Sequence, residues 1–359
     1  DGAGRIPAFT AIICFFVNFY FNKVKIFSAP YVFWGAWVIF SICNTHFQGN
    51  SLESPLFFYL GLFTNFVILY VSSLEFRRDR DYFLKFISIC LLIYAFGSFF
   101  TMQNWNNTGR MLGFSGNIAI LMFMFLPGFS ILRYQYKKGS IFMVLFYLSV
   151  ALYFVIAGAT RKALGGVFII VCMAILANIN FRSWKTIFFT IVTILVVYYG
   201  FNYILENTIL GERFIEEVEI NEKLLPYQFR DNWFFKFLGD RAGYYIRGWQ
   251  YFLDNLWFGI GLTNFMVYDY GKHVLHTEYM VQLAECGLVG SALYLLFMGW
   301  MIYNLLYVFF KIAKRETLVY AGMFGAILFI SFLAGFFKTL PIAKTSGTFV
   351  LSLAAVTTA

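Results

Sequence analysis

The chain has 359 residues, of which 60% are hydrophobic, 22% aromatic and only 13% charged, with a formal net charge of +9. A water-soluble domain carries about 25% charged residues, so this composition excludes an ordinary soluble globular protein. Apolar runs long enough to cross a hydrocarbon core of about 30 Å recur along the chain, which predicts an all-α polytopic membrane protein. The positive charge fits basic cytoplasmic loops or a site for anionic head groups, and charge alone does not separate the two.

Ten apolar runs are predicted to span the membrane, and a last stretch, 345–359, is too short to assign. The ten cover residues 8–21, 27–43, 55–73, 82–100, 117–133, 140–157, 163–180, 184–204, 280–309 and 317–337. The chain starts without methionine on what is predicted to be the outer side, so an earlier span is expected. The total is then about 10 to 12 transmembrane helices.

Basic residues are concentrated in alternate loops. These residues are Lys23, Lys25, Arg77, Arg78, Arg80, Lys85, Arg133, Lys137, Lys138, Arg182, Lys185, Lys311, Lys314 and Arg315. By the positive-inside rule these five loops are cytoplasmic, which puts the segment 205–279 on the outer face. The chain is therefore divided into N-terminal spans (1–204), one large outer loop (205–279) and C-terminal spans (280–359).

The outer loop holds eleven of the eighteen acidic residues and seven basic ones. Its mixed charge and aromatic stretches predict a structured cap with short amphipathic helices rather than a disordered linker. Within it, the glycines of GIGLTNF, Gly259 and Gly261, predict a backbone bend before the chain re-enters a helix. A nucleotide-binding glycine loop is rejected, because no strand precedes it.

Metal and nucleic-acid chemistry have little support in the sequence. The five cysteines lie singly, with no CxxC pair and no cysteine–histidine cluster, so neither a disulfide framework nor a zinc site is predicted. His273 and His276 are three residues apart, but no carboxylate at metal-ligand spacing completes a set. We therefore expect no metal, no cofactor and no nucleic-acid partner.

Three arginines and a lysine stand at predicted membrane boundaries. Arg161 and Lys162 lie at the outer end of a span, and Arg241 and Arg247 lie in the outer loop. Arg161 either extends its guanidinium to the interface or grips phosphate oxygens in a bidentate fashion, and position alone does not decide between these. Arg241 and Arg247 are six residues apart and on a helix would lie on different faces, so that one faces a site and the other solvent. The alternative for each is an exposed loop arginine without a specific role.

His276 lies where the outer loop meets the ninth predicted span. With an ordinary pKa of about 6.5, an imidazole is neutral enough near pH 7 to act as a base. Glu278, Gln282 and Glu285 follow on one helical face. This polar stripe either lines an aqueous cavity or forms hydrogen bonds to neighbouring helices.

Taken in order, these motifs resemble those of the O-antigen ligase and polymerase superfamily. GWQYFLDNLWFGIGLTNF after Arg241, then HTEYMVQLAECGLVG from His276, are similar to the family's outer-loop arginine, glycine turn and histidine. GATRKALGG is similar to its S-R-G/K motif, and GRMLGFSGN to its R-x-x-G-x-x-x-N motif. The resemblance covers roughly residues 105–300 and implies a GT-C-like fold.

The resemblance implies inverting, metal-independent glycosyl transfer from undecaprenyl diphosphate to an acceptor hydroxyl on the periplasmic face of the inner membrane. Arg161 and Arg241 would hold the diphosphate, and His276 would take the acceptor proton or orient the acceptor. The other residues it implies for substrate binding are Arg247, Lys162, Arg110, Glu278 and Tyr279. The sequence departs from the family pattern at three positions, Thr277 for Asn, Leu256 for Pro and Thr160 for Ser.

The lysine after Arg161 favours a Wzy-type repeat-unit polymerase, which uses lipid-linked glycan as donor and acceptor and works beside a chain-length regulator. The alternative within the family is an O-antigen ligase, which transfers the glycan to lipid A core. A lipid-linked glycan transporter is the alternative of another class. It predicts paired charges in mid-membrane, whereas the predicted spans carry few ionisable groups away from their ends.

Overall fold

A computed structural model provides the structure of the chain. It describes residues 29–49, 63, 67, 71, 74–76, 78–104, 111–112, 123–158, 160–178, 184–208, 242–265, 275, 277–312 and 315–334. This described part is mostly helical, which agrees with the predicted all-α class.

Nine helices and one short hairpin have assigned bounds in the described part. The helices are α1 (Ala29–Phe47), α2 (Arg80–Phe100), α3 (Leu126–Gln135), α4 (Ile141–Ala157), α5 (Arg161–Asn178), α6 (Trp184–Asn207), α7 (Ala242–Asp254), α8 (Glu278–Ile312) and α9 (Arg315–Ala334). The hairpin pairs β1 (Gln103–Asn104) with β2 (Met111–Leu112) in antiparallel register.

The chain forms two compact units, each made of separate stretches of sequence. The first takes its described residues from Asp1–Arg78, Asp240–Tyr307 and Ile330–Ala359, and the second from Asp79–Gly239 and Val308–Phe329. The predicted division into N-terminal spans, outer loop and C-terminal spans concerns the membrane, so it stays a prediction.

In the first unit, α1 and the long helix α8 share an aromatic core. Trp34 stacks on Trp37 with ring centroids 4.7 Å apart, and Trp34 also contacts Phe297, at 4.8 Å. Tyr294 lies against Trp37 at 6.4 Å, and all four rings are almost fully buried. The large apolar area of these rings makes this core the main apolar contact between the two helices.

In the second unit, α3 packs against α2, α4 and α5. Local sequence sets the starts of two of these helices. The side chain of Asp79 accepts a hydrogen bond from the Tyr82 amide (3.0 Å), and that of Ser140 accepts one from the Met143 amide (3.3 Å). Both are N-caps, which satisfy amides that the first helical turn leaves without a partner.

Two helices within the described residues are long and apolar enough to cross a membrane, Arg80–Phe100 and Glu278–Asn304. Shorter apolar helices are Val32–Phe47, Ile141–Ala157, Lys162–Ala177 and Thr317–Ala326. The length and composition of Arg80–Phe100 and Glu278–Asn304 are thus consistent with membrane spans. The multi-pass topology stays a prediction.

The predicted spans can be compared with the helices one by one. Runs 27–43, 82–100, 140–157, 163–180, 184–204, 280–309 and 317–337 coincide with α1, α2, α4, α5, α6, α8 and α9 to within a few residues. Only the second half of 117–133 falls on a described helix, α3. The runs 8–21 and 345–359 and most of 55–73 lie outside the described residues.

Candidate functional site

The helix α8 is interrupted at Gly287, although the sequence analysis treated this segment as one continuous span. Gly287 has φ 63° and ψ −165°, which is far from helical geometry and is open essentially to glycine alone. In an unbroken helix, the amides of Leu288 and Val289 would donate to the carbonyls of Ala284 and Glu285. The break at Gly287 separates these four backbone groups.

A turn formed by residues 255–265, here called the glycine turn, satisfies all four of these groups. The amides of Leu288 and Val289 donate to the carbonyls of Leu256 (2.8 Å) and Trp257 (3.1 Å). The carbonyls of Ala284 and Glu285 accept from the amides of Ile260 (3.0 Å) and Gly261 (2.9 Å). Two helical hydrogen bonds are thus replaced by four to the turn. This matters in a membrane, where non-helical backbone is tolerated only with its polar groups satisfied by protein or water.

Glycine is required on both sides of this contact. Gly259 and Gly261 have φ values of 68° and 91°, so the bend predicted from GIGLTNF is present. A Cβ on Gly259 would lie 2.5 Å from the Glu285 carbonyl carbon, and one on Gly287 would lie 2.5 Å from the Gly259 amide nitrogen. The backbone segments at Gly259 and Gly287 are so close together that neither position has room for a side chain.

The carboxyl end of α1 holds the other side of the glycine turn. The Asn44 side-chain amide donates to the carbonyl of Phe258 (2.6 Å) and, at 3.4 Å, to that of Glu285. The Thr45 hydroxyl accepts from the Leu262 amide (3.0 Å). Asn44 therefore bridges the turn and the interruption in α8.

Glu285 is fully buried and holds the last part of the glycine turn. One carboxylate oxygen accepts from the Thr263 amide (2.8 Å) and the other from the Phe265 amide (3.2 Å). Thr263 has a left-handed φ of 72°, a conformation that a β-branched residue rarely adopts.

The rest of the polar stripe also forms buried hydrogen bonds. The Gln282 amide donates to a Glu278 carboxylate oxygen (2.7 Å), and its carbonyl oxygen accepts from the indole of Trp37 (2.8 Å). Glu278 and Gln282 are 0% and 2% exposed. Of the two interpretations of this stripe, these contacts favour hydrogen bonding between neighbouring segments.

The predicted outer-loop site residues belong to the first unit. Arg247 is exposed on α7, whereas Gly248 and Phe252 of the same helix are buried, so α7 has an exposed and a buried face. Tyr279, in the first turn of α8, is half-buried. Arg241 and His276 lie outside the described residues. His276 stands between Leu275 and Thr277, which are 2% and 1% exposed, directly before α8.

The predicted site residues from the earlier motifs belong to the second unit. Arg161 is the first residue of α5, and Lys162 beside it is half-buried. Thr160, the family's serine position, is buried, and its carbonyl accepts from the amides of Ala163 (3.0 Å) and Leu164 (3.2 Å), which starts the helix. Arg110 lies outside the described residues.

The second unit also contains an apolar groove of about 600 Å³ between α2 and α4. Phe96, Phe99, Phe146 and Phe154 contribute most of the aromatic surface, and Ser149 and Tyr153 the hydroxyl groups. This lining suits hydrocarbon and carries no titratable pair.

No group of three or more His, Cys, Asp or Glu side chains that could hold a metal ion occurs among the described residues. His273 and His276 lie outside that part of the chain, so the expectation that no metal takes part stays a prediction.

Glu285 is one of the three residues of the predicted polar stripe, but it is not among the predicted site residues. Asn44 and Gly287 were not predicted from the sequence. A carboxylate inside a span is a signal of function in itself. The glycine at 287 gives a weaker signal, since most glycines in apolar helices keep helical geometry.

No family model matches the chain, and no curated protein matches it.

Proposed function

We propose that the chain is a membrane glycosyltransferase that polymerises undecaprenyl-diphosphate-linked oligosaccharide repeat units on the periplasmic face of the bacterial inner membrane. The proposal rests on the order of motifs from Arg161 to Gly290. The structural observation that supports it most is the glycine turn. The motif's glycines form this turn, which is hydrogen-bonded to the interrupted helix α8 and comes directly before the segment that contains His276. Interrupted helices are a recurrent way of building polar sites at membrane depth.

The chemistry requires a base and cationic groups. The acceptor hydroxyl oxygen attacks the anomeric carbon of the donor sugar, and its proton passes to the neutral imidazole of His276. The bond between that carbon and the diphosphate oxygen breaks with inversion, and undecaprenyl diphosphate leaves. Arg161 and Arg241 would stabilise the charge that develops on the diphosphate, as fixed cationic groups do in other enzymes. Because diphosphate is a good leaving group, this scheme uses no metal and no cofactor.

Arg110, Lys162, Arg247 and Tyr279 bind substrate in this proposal. Arg247 is exposed on α7, and Lys162 is half-buried in the first turn of α5, so both side chains have access to solvent. Glu278 is fully buried. A direct contact between its carboxylate and the glycan is therefore less well supported than a role in holding the start of α8 through Gln282. The lipid-linked glycan, as donor and acceptor, the bilayer and a chain-length regulator are the proposed partners.

The central test compares two histidines. Purified His276→Ala in lipid nanodiscs is expected to lose at least about a hundredfold in elongation of lipid-linked repeats, the order expected for removing a general base. His46→Ala is the matched control, because His46 is exposed on the last turn of α1. Wild-type turnover by a folded His276→Ala protein would overturn the proposed role of the histidine.

Deletion of the gene separates the polymerase from its alternatives. Loss of a polymerase leaves lipid A core that carries a single repeat. Loss of a ligase leaves long chains on undecaprenyl diphosphate, and loss of a transporter leaves lipid-linked repeats on the cytoplasmic face. Only the first result agrees with the proposal.

A further inference from the structure

We infer that Glu285 is a positioning residue, which fixes the carboxyl end of the glycine turn and thereby the starting point of the segment that leads to His276. The inference extends the proposed function and rests on it for its catalytic consequence. The fastening itself is a property of the first unit and can be measured without any substrate.

The burial of Glu285 requires an explanation. Its carboxylate is 0% exposed, and it lies seven residues after the start of α8, a helix with the length and composition of a membrane span. A carboxyl group is costly in such a place unless its oxygens accept good hydrogen bonds. Two backbone amides of the glycine turn provide these bonds.

The geometry of the two amides indicates a specific contact. Thr263 and Phe265 are alternate residues, and their amides point to different oxygens of one carboxylate. The left-handed backbone of Thr263 turns its amide toward the same group as that of Phe265. Backbone amides gathered in this way form a concave binding site for an anion, which here is a side chain of the same protein.

Glu285 holds the end of the glycine turn through two backbone amides. The Asn264 side chain between them donates to the carbonyls of Ile260 (2.7 Å) and Gly49 (3.3 Å). The Phe265 ring contacts that of Tyr251. The backbone hydrogen bonds to α8 involve residues 256–261, and Asn44 and Thr45 hold Phe258 and Leu262. Residues 263 and 265 are fastened by the carboxylate. The chain then runs to His276, eleven residues beyond Phe265.

This position has a consequence for catalysis in the proposed function. If Glu285 no longer holds the end of the turn, the segment that carries His276 starts from a mobile point. A displacement of about 1 Å at a reacting group costs about a hundredfold in rate. Donor binding by the arginine motifs depends on other segments. Loss of Glu285 is therefore expected to lower kcat and to leave KM nearly unchanged.

The test uses the full chain in nanodiscs and three variants. Glu285→Gln replaces one acceptor oxygen by an amide group that cannot accept from a backbone amide. Glu285→Asp keeps both oxygens and withdraws them by one methylene. Ser291→Ala is the control, because Ser291 is a buried polar residue of the same helix whose hydroxyl has no hydrogen-bond partner among the described residues.

Hydrogen–deuterium exchange gives the first readout. In Glu285→Gln the amides of Thr263 and Phe265 are expected to exchange at least about tenfold faster than in the wild type, while the amides of α8 after Leu288 stay within about twofold. Ser291→Ala is expected to match the wild type. If Glu285→Gln does not accumulate as folded protein, Glu285→Asp takes its place, with a smaller acceleration at the same two amides.

Steady-state elongation of lipid-linked repeats gives the second readout. The expected result for Glu285→Gln is a kcat reduced at least about tenfold with KM within about threefold, and partial recovery in Glu285→Asp. Unchanged exchange at Thr263 and Phe265 would overturn the inference whatever the activity. If Glu285→Gln exchanges faster at these two amides but the wild-type protein elongates no repeats, the proposed function is overturned and the role of Glu285 in holding the turn remains.

Discussion

At Gly259, in the first unit, a side chain is excluded by backbone atoms of α8, whereas at Gly128, in the second, the nearest neighbours are atoms of the Met323 side chain. An added Cβ would lie 2.5 Å from the Glu285 carbonyl carbon at Gly259 and 2.6 Å from the Met323 sulfur at Gly128. The distances are alike, but a thioether side chain changes rotamer readily, and a hydrogen-bonded backbone does not. The neighbour's freedom to move therefore decides how strictly each glycine is required.

The same contrast extends to the surroundings of the two glycines. Around Gly259 the contacts are directional, with hydrogen bonds between backbone groups, Asn44 and Glu285. Around Gly128 they are apolar, since α3 buries Leu126, Phe129 and Leu132. Small residues let helices approach closely in either case. Apolar packing accepts small changes of shape, whereas the hydrogen-bonded turn allows one arrangement.

The largest predicted effect is that of Gly259→Ala. Forcing alanine to a left-handed φ costs about 1–2 kcal/mol, and overpacking against backbone adds about 1–3 kcal/mol. We expect the free energy of unfolding, measured by reversible SDS titration with circular dichroism, to fall by about 2–5 kcal/mol. Gly299→Ala is the control in α8, because, outside the adjacent turns of α8, no atom of the described residues lies within 4 Å of its added Cβ. Equal stabilities of the two variants would contradict the account of the glycine turn.

Asn44→Ala is expected to have the second largest effect. Its side chain donates to the Phe258 carbonyl across 214 positions of sequence, and its loss leaves that part-buried carbonyl without this donor. Such a loss costs about 1–3 kcal/mol. The same SDS titration measures it, with Cys43→Ala as the control, since Cys43 is the preceding residue of α1 and is exposed. A cost no greater than that of the control would show that the turn is held without Asn44.

The helices were predictable from sequence because their causes are local. Apolar runs of sufficient length gave α2, α4 and α8 to within a few residues, and the caps Asp79 and Ser140 stand directly before the helices that they start. A window of a few residues contains all of this information.

The docked turn could be predicted only in part. The bend at Gly259 and Gly261 follows from a local pattern of glycines. The interruption at Gly287 depends on a turn about 28 residues earlier in the chain (259 to 287). The side-chain hydrogen bond that holds this turn to α1 depends on Asn44, which is far from both in sequence. The periodicity of apolar residues does not predict contacts between segments that are distant in sequence. Taken alone, the sequence around Gly287 or Asn44 is typical of an uninterrupted helix.

Gly128→Ala is predicted to change stability by less than about 1 kcal/mol. Alanine favours the helix over glycine by up to about 1 kcal/mol, and the displacement of Met323 offsets this gain. The double variant Gly128→Ala/Met323→Ala serves as the check, since it removes the crowded side chain. If Gly128→Ala alone unfolds the protein as readily as Gly259→Ala does, the contrast between side-chain and backbone neighbours is wrong.

The smallest predicted effect concerns a carboxylate in a different setting from that of Glu285. Asp81, in the first turn of α2, accepts from the Arg133 guanidinium at 3.1 Å, and the side chains of Asp81 and Arg133 are 34% and 14% exposed. An ion pair that water still reaches contributes about 0–1 kcal/mol, because water solvates each charge nearly as well as its partner does. Asp81→Asn is therefore expected to lower the free energy of unfolding by less than about 1 kcal/mol, and less still in high salt. Glu285→Gln, in the same titration, removes an acceptor from two buried amides and should cost more. A reversed order would mean that the buried carboxylate contributes less to stability than a partly exposed ion pair, and that the glycine turn is held by its other contacts.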